Sequence, residues 1–279
     1  EALRDEGRPG ELLKAARGET LATFPMADLP GMGDVAWSPD SAAFTFTLED
    51  KEKGGLYACR VMERGYRCVV PGEVSRPAWS GDGSYLACLR RSDLPEEMPV
   101  RVRLNRGSLV VLDPRRGFAT TFTLRGAVGP YAFSPDSSRI AFTEVQEDEF
   151  GDLGKYALRV AEAGSGRAAD LVSDRRKLDW LWAGNDLLVV ATHDRYAVPS
   201  LSLLDLRGGK TTLLTAAEFA TFRPRAYEAE TGRVFYEAVE SAAGQARGEL
   251  WALRPGGRPE RVREDDPGYR RLMEGPAVG

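Results

Sequence analysis

Thiol and imidazole chemistry is thinly supplied in this chain, with three cysteines and one histidine. A structural zinc site needs four Cys or His ligands at short, regular spacing, and Cys59, Cys68, Cys88 and His193 are too scattered to provide it. His193 stands in Thr192-His193-Asp194-Arg195-Tyr196, just after the apolar run Leu187–Ala191. A general base needs a hydroxyl or thiol within hydrogen-bond reach. No serine of the chain sits in a Gly-x-Ser-x-Gly nucleophile motif. His193 therefore reads as a loop histidine at a strand end, and no catalytic residue is assigned.

Cys59 and Cys68 flank Arg60-Val61-Met62-Glu63-Arg64-Gly65-Tyr66-Arg67. A tight hairpin centred on Glu63-Arg64 sets the two cysteines opposite each other, within disulfide reach at a non-hydrogen-bonded pair. A turn at Arg64-Gly65 instead sets Cys59 opposite Val70 and leaves two free thiols. Both registers stay open, and a bridge would imply an oxidising compartment. Cys88 reads as a small buried hydrophobe. Glu144, Glu147, Asp148, Glu149 and Asp152 cluster around Phe150-Gly151. Carboxylates on a flexible loop suit a hard cation, which makes Asp148, Glu149 and Asp152 the calcium candidates. The alternating Asp-x-Asp-x-Asp-Gly spacing of a dedicated calcium loop is missing, so a solvated acidic loop is the other reading. No cofactor is expected.

The elements that hold these residues come from a repeat. Ala36-Trp37-Ser38-Pro39-Asp40-Ser41, Ala78-Trp79-Ser80-Gly81-Asp82-Gly83 and Ala132-Phe133-Ser134-Pro135-Asp136-Ser137 each precede an apolar run. Leu181-Trp182-Ala183-Gly184-Asn185-Asp186 is a degenerate copy, and Tyr227-Glu228-Ala229-Glu230-Thr231-Gly232 a fainter one. The anchoring aromatics are 42, 54, 49 and 45 residues apart. In each copy a strand ends in an aromatic, a Pro-Asp or Gly-Asp turn reverses the chain, and a second strand follows. Two more strand-like runs complete each repeat. Four strands in about 40–50 residues is the signature of a propeller blade.

The expectation is an all-β, six-bladed TolB-like β-propeller of four-stranded antiparallel blades, with a five-bladed ring as the alternative. The whole chain, 1–279, reads as one domain. Blades lie near 32–71, 75–125, 129–173, 178–215 and 222–263. A last, composite blade draws on 1–26 and 264–279, with strands at Glu11–Ala16, Glu19–Phe24 and Tyr269–Met273.

Phe133-Ser134-Pro135-Asp136-Ser137-Ser138-Arg139-Ile140-Ala141-Phe142 and its Trp37 and Trp79 counterparts resemble the PD40 (TolB-like, WD40-like) propeller repeat. That repeat reads aromatic-Ser-Pro-Asp-Gly followed by Ile-Ala-Phe. Here Ser41 and Ser137 replace the glycine, and Gly81 replaces the proline. The resemblance implies a structural role for the motif. Such repeats occur in the periplasmic TolB protein, prolyl-oligopeptidase-like enzymes, oligogalacturonate lyases, lipoproteins and sensor ectodomains, so fold alone does not select a function.

Composition narrows the classes. The 279 residues carry 42% hydrophobic side chains and a net charge of −4. There is no basic excess to drive binding to phosphate backbones, so nucleic acid is not an expected partner. No run approaches the roughly 18 apolar residues of a membrane helix, although an upstream anchor fits a chain that begins at Glu1. Two Asn and two Gln against 32 Arg suit a thermophilic bacterium or a GC-rich genome. Long loops on one face of a propeller are where binding residues gather. On that basis Leu94, Glu96, Glu97, Met98, Phe150 and Tyr196 form the expected surface for a protein or peptide partner. The expected function is a monomeric, non-catalytic, extracytoplasmic (periplasmic or extracellular) binding module of a lipoprotein, sensor or membrane-anchored regulator. The alternative is a carbohydrate-active or lyase-type enzyme with carboxylates in the central channel.

Overall fold

A computed structural model describes residues 10–14, 19–24, 31–50, 52–61, 65–91, 106–147, 153–174, 178–193, 198–216, 220–242, 245–263, 265–267 and 269–270. The fold is an all-β propeller built of four-stranded antiparallel blades. Two compact units divide the chain: Glu1–Glu144 with Ala161–Ala169, and Val145–Val160 with Asp170–Gly279.

The first unit opens with a two-stranded sheet, β1 (Gly10–Lys14) against β2 (Glu19–Phe24). Blade one follows as β3 (Met32–Trp37), β4 (Ala43–Leu48), β5 (Gly55–Arg60) and β6 (Arg67–Pro71), in that spatial order. Blade two begins with β7 (Val74–Trp79), β8 (Leu86–Arg91) and β9 (Arg106–Asp113). Its fourth strand is the first half of β10 (Phe118–Phe133), whose second half reaches the aromatic of the third repeat. The sequence places a break between blades near residues 125–129. The chain instead continues as one 16-residue strand, with a register shift between Thr123 and Ala127. One seven-stranded sheet therefore runs from β7 through β10 to β11 (Arg139–Glu147), β12 (Leu153–Glu162) and β13 (Ala168–Asp174).

The second unit contains blades four and five. Blade four is β14 (Asp179–Gly184), β15 (Leu187–His193), β16 (Pro199–Asp205) and β17 (Lys210–Ala216). Blade five is β18 (Ala220–Glu228), β19 (Arg233–Ala242), β20 (Gln245–Leu253) and β21 (Glu260–Arg261). Beyond it, the Arg270 N–H bonds to the Asp266 carbonyl at 2.9 Å, a helical turn that lays Tyr269 on Phe235. The strand expected from Tyr269 onward is thus not formed at Tyr269 and Arg270. Arg271–Met273 lie outside the described residues.

Side-chain alternation explains why the blades stack. On β8 and β9, Leu86, Cys88, Val110 and Leu112 turn to one face and pack with Leu56 and Val70 of blade one. Their neighbours Ala87, Leu109 and Val111 turn to the other face and pack with Phe122, Ile140 and Phe142. Period-two alternation makes one strand serve two apolar layers, so the middle strands are buried on both sides. Blades four and five join through Val189, Leu201, Leu203, Phe222, Val234, Tyr236 and Leu253. Each fully buried aliphatic side chain in these layers contributes about 1.5–3 kcal/mol.

Candidate functional site

The repeated Ser-x-Asp turns hold the same bond pattern three times. The serine hydroxyl donates to Asp Oδ1 in Ser38–Asp40 (2.6 Å), Ser80–Asp82 (2.8 Å) and Ser134–Asp136 (2.6 Å). The serine oxygen also accepts the N–H five residues on, from Ala43, Tyr85 and Arg139. Asp Oδ1 accepts the N–H two residues on, from Ala42, Ser84 and Ser138. The residue after Asp is left-handed, with φ of 56° at Ser41, 70° at Gly83 and 62° at Ser137. That geometry accounts for a glycine preference there, and a serine tolerates it at a cost of about 1–2 kcal/mol. These serines and aspartates close turns and have no geometry of a nucleophile and base.

The second and third turns, with Arg115 and Arg116, line a cleft of about 320 Å³ in the first unit. Burial alone would raise the Asp82 carboxyl, but hydrogen bonds from Ser84, Ser80 and Ser137 outweigh it and hold the group down to about 2. The Ser134 hydroxyl likewise lowers Asp136. Asp113 accepts the N–H groups of Arg115 and Arg116 at 3.0 and 3.1 Å. In the cleft Asp82 and Asp136 are thus held as hydrogen-bonded carboxylates, with two exposed arginines at its rim. Such groups can hold polar ligands, but they supply no acid near neutral pH. The sequence reading placed its site on the long-loop face. Arg115-Arg116 sits in the link from third to fourth strand, which opens on the Ser-x-Asp side, and that connectivity was the available signal.

A second cluster joins the first strands of three repeats. Asp34 on β3 accepts the Arg76 N–H through Oδ2 at 2.7 Å. The Tyr131 hydroxyl, on β10, donates to the Arg76 carbonyl. The Arg76 guanidinium lies over the Tyr131 ring, 5.6 Å from its centroid. Arg76 itself has φ of 55°, a left-handed conformation that costs a non-glycine residue about 1–2 kcal/mol. It falls within a register shift between Ser75 and Ala78, matched on β3 by one between Met32 and Val35. Burial pushes the Tyr131 phenol well above its usual range. On the other face of β3, the side of Phe44 and Phe46, Val35 is 46% exposed and Trp37 40%. Trp79 behaves differently, donating its indole N–H to the Ala36 carbonyl of blade one at 3.3 Å. The repeat aromatics thus divide between packing and exposure. The strained arginine left no trace in the sequence.

His193 ends β15, and Asp174 ends β13. Asp174 Oδ2 accepts the His193 backbone N–H at 2.7 Å and lies 3.0 Å from its Nδ1. Both side chains are nearly buried, 12% and 9% exposed. His193 is therefore a residue fastened at its strand end by Asp174. In the neighbouring register position, Thr192 and Ser200 bond to each other at 3.1 Å.

Leu94, Glu96, Glu97, Met98, Phe150 and Tyr196 lie outside the described residues, as do Asp148, Glu149 and Asp152. The proposed bridge between Cys59 and Cys68 is corrected, because both thiols are free. The hairpin register pairs Tyr57 with Cys68 and Ala58 with Arg67, after a register shift between Leu56 and Tyr57. Cys59 is then diagonal to Cys68, where Cα atoms stand roughly 7–8 Å apart, beyond disulfide reach. Cys59 is buried with Phe44, Phe46 and Leu48, whereas Cys68 is exposed.

No protein-family model matches the sequence, and no curated protein matches it either. Solved structures do match. A protein assigned as a dipeptidyl aminopeptidase IV from Bacteroides ovatus superposes with a TM-score of 0.61 at 13% identity, covering 90% of this chain and 42% of its own. A prolyl endopeptidase superposes with a TM-score of 0.60 at 14% identity, covering 94% of this chain and 40% of its own. The β-propeller domain of the trilobed protease from Pyrococcus furiosus gives 0.57 at 13% identity, with 85% and 73% covered. The chain thus spans about two-fifths of the first two peptidases. These matches correct the expected function. The similar structures are mostly peptidases in which a propeller is one part of a catalytic protein, so the reading as a non-catalytic export module is set aside, and the lyase alternative with it.

Proposed function

We propose that this chain is the propeller portion of a peptidase, serving to admit and select short peptides for catalytic groups that lie outside residues 1–279. The observation that carries this is the superposition of 90% and 94% of the chain on two peptidases, whose remaining length has no counterpart here. The described chemistry supports it. The repeated Ser and Asp pairs are engaged in turns, and the single histidine is held by Asp174. A propeller supplies a rigid rim on which a passing peptide can be sorted, while hydrolysis needs an activated nucleophile and an oxyanion site elsewhere.

The test uses fluorogenic peptides of three kinds: N-acylated aminoacyl, free dipeptidyl X-Pro, and internal prolyl. The native polypeptide that carries this chain should hydrolyse at least one kind and leave folded proteins intact. The 279-residue chain alone should bind without cleaving. Hydrolysis by the isolated chain, or none by the native polypeptide, overturns the reading.

A further inference from the structure

We propose that Arg76 is a carboxylate-receiving residue for a peptide lying along the first strands of the first unit; the peptide class rests on the function proposed above, the anion site on the geometry alone. Its backbone is fastened at both ends, the N–H by Asp34 and the carbonyl by the Tyr131 hydroxyl. The guanidinium rests on the Tyr131 ring and is solvent-exposed. Arg91, Arg159, Arg207, Arg225 and Arg261 each meet an acidic partner. Among the described residues, no carboxylate pairs with the guanidinium of Arg76.

An arginine stacked on an aromatic face keeps its planar donor edge free, and that edge matches a carboxylate in bidentate fashion. Fastening the backbone beforehand reduces the ordering that binding would otherwise require. The occupant is a peptide because the function proposed above brings peptides to this rim. The carboxylate is either the peptide's C-terminus or an acidic side chain. Asp34 is the nearby acid, and its charge opposes the ligand's. Removing that charge while keeping the acceptor must therefore tighten binding.

The experiment is fluorescence polarisation on the 279-residue chain at low salt. The probes are dye-labelled Ala-Phe-Ala-Leu-Ala as free acid, the same peptide as C-terminal amide, and Ala-Phe-Asp-Leu-Ala amide. At least one acid should bind about tenfold more tightly than the plain amide, the scale of one charge-assisted contact. Which acid does so identifies the carboxylate. Arg76→Gly suits the left-handed backbone, so it should keep the fold and lose the preference. Arg76→Lys should keep part of it, and Asp34→Asn should strengthen it several-fold. Equal binding of all three probes, an unchanged preference in Arg76→Gly, or weaker acid binding in Asp34→Asn overturns the proposal. Hydrolysis is not read, so a failed peptidase assay leaves this site standing, and loss of the preference leaves the peptidase reading standing.

Discussion

The hydroxyl of Ser137, in the turn of the third repeat, accepts the backbone N–H of Asp82, in the turn of the second, at 3.1 Å. Ser137 is 2% exposed, and its φ is 62°. One residue thus combines an unfavourable backbone with a bond between neighbouring turns. Ser137→Ala keeps the strain and leaves the Asp82 N–H without its partner, so stability should fall by about 1–2 kcal/mol. Ser137→Gly removes both and should fall between that variant and wild type. Ser41 has the same strain at φ 56° and, among the described residues, no such bond, and Ser41→Gly should gain up to about 1 kcal/mol. Thermal unfolding of the three variants orders them, and Ser137→Ala matching wild type removes the role given to the hydroxyl.

Asp82 gives the turn region a pH dependence of definite sign. The hydrogen bonds from Ser84, Ser80 and Ser137 outweigh burial and hold its carboxyl down to about 2, below the ordinary aspartate range. A depressed folded value means the contribution is complete above the unfolded value and is lost as pH falls toward the folded one. Asp82→Asn should lower the melting temperature at neutral pH and flatten its decline between about pH 4 and pH 2. Parallel wild-type and variant curves across that window would count against the assignment.

Asp174 holds two donors of His193 in a nearly buried site. Asp174→Ala leaves both without an acceptor, at a cost of about 2–4 kcal/mol. The melting temperature should drop by several degrees. Nitrogen-15 spectra of the imidazole at high pH should show the proton on Nδ1, the nitrogen that faces Asp174. A proton found on Nε2 instead would refute the donor arrangement.

Thiol reactivity follows from the register of β5 and β6. Cys59 and Cys88 are buried, and burial pushes the Cys88 thiol up to about 12. Cys68 is the exposed thiol, though its value too is raised by desolvation. Ellman's reagent should modify one thiol per native chain at mildly alkaline pH, and three after unfolding. Mass spectrometry of non-reduced digests should find no Cys59–Cys68 link. Recovery of that bridge in high yield would show a different hairpin register.

How far the sequence could be read depends on the range of the interaction. The blade is a local object. Ser80 and Asp82 bond within six residues, and the alternation along Ala87-Cys88-Leu89 assigns each side chain to a layer before any partner is known. Turn chemistry and period-two patterning are written in neighbouring residues, so the propeller and its four-stranded blades were legible. The cysteine pair failed on the hairpin register, which sets Cys68 opposite Tyr57 rather than Cys59, an offset of two residues that no composition rule marks.

The sequence by itself determined the repeat, its turns and the alternating burial, because each depends on backbone preferences and side-chain periods over a few residues. The tertiary structure alone decided that Asp34, Arg76 and Tyr131 meet, that Asp174 finds His193, and that the Ser137 hydroxyl reaches Asp82. These partners are 19 to 55 residues apart in the chain. Their contact depends on how whole sheets stack and where a bulge rotates one residue out of the ladder, and those are properties of packed blades rather than of any segment.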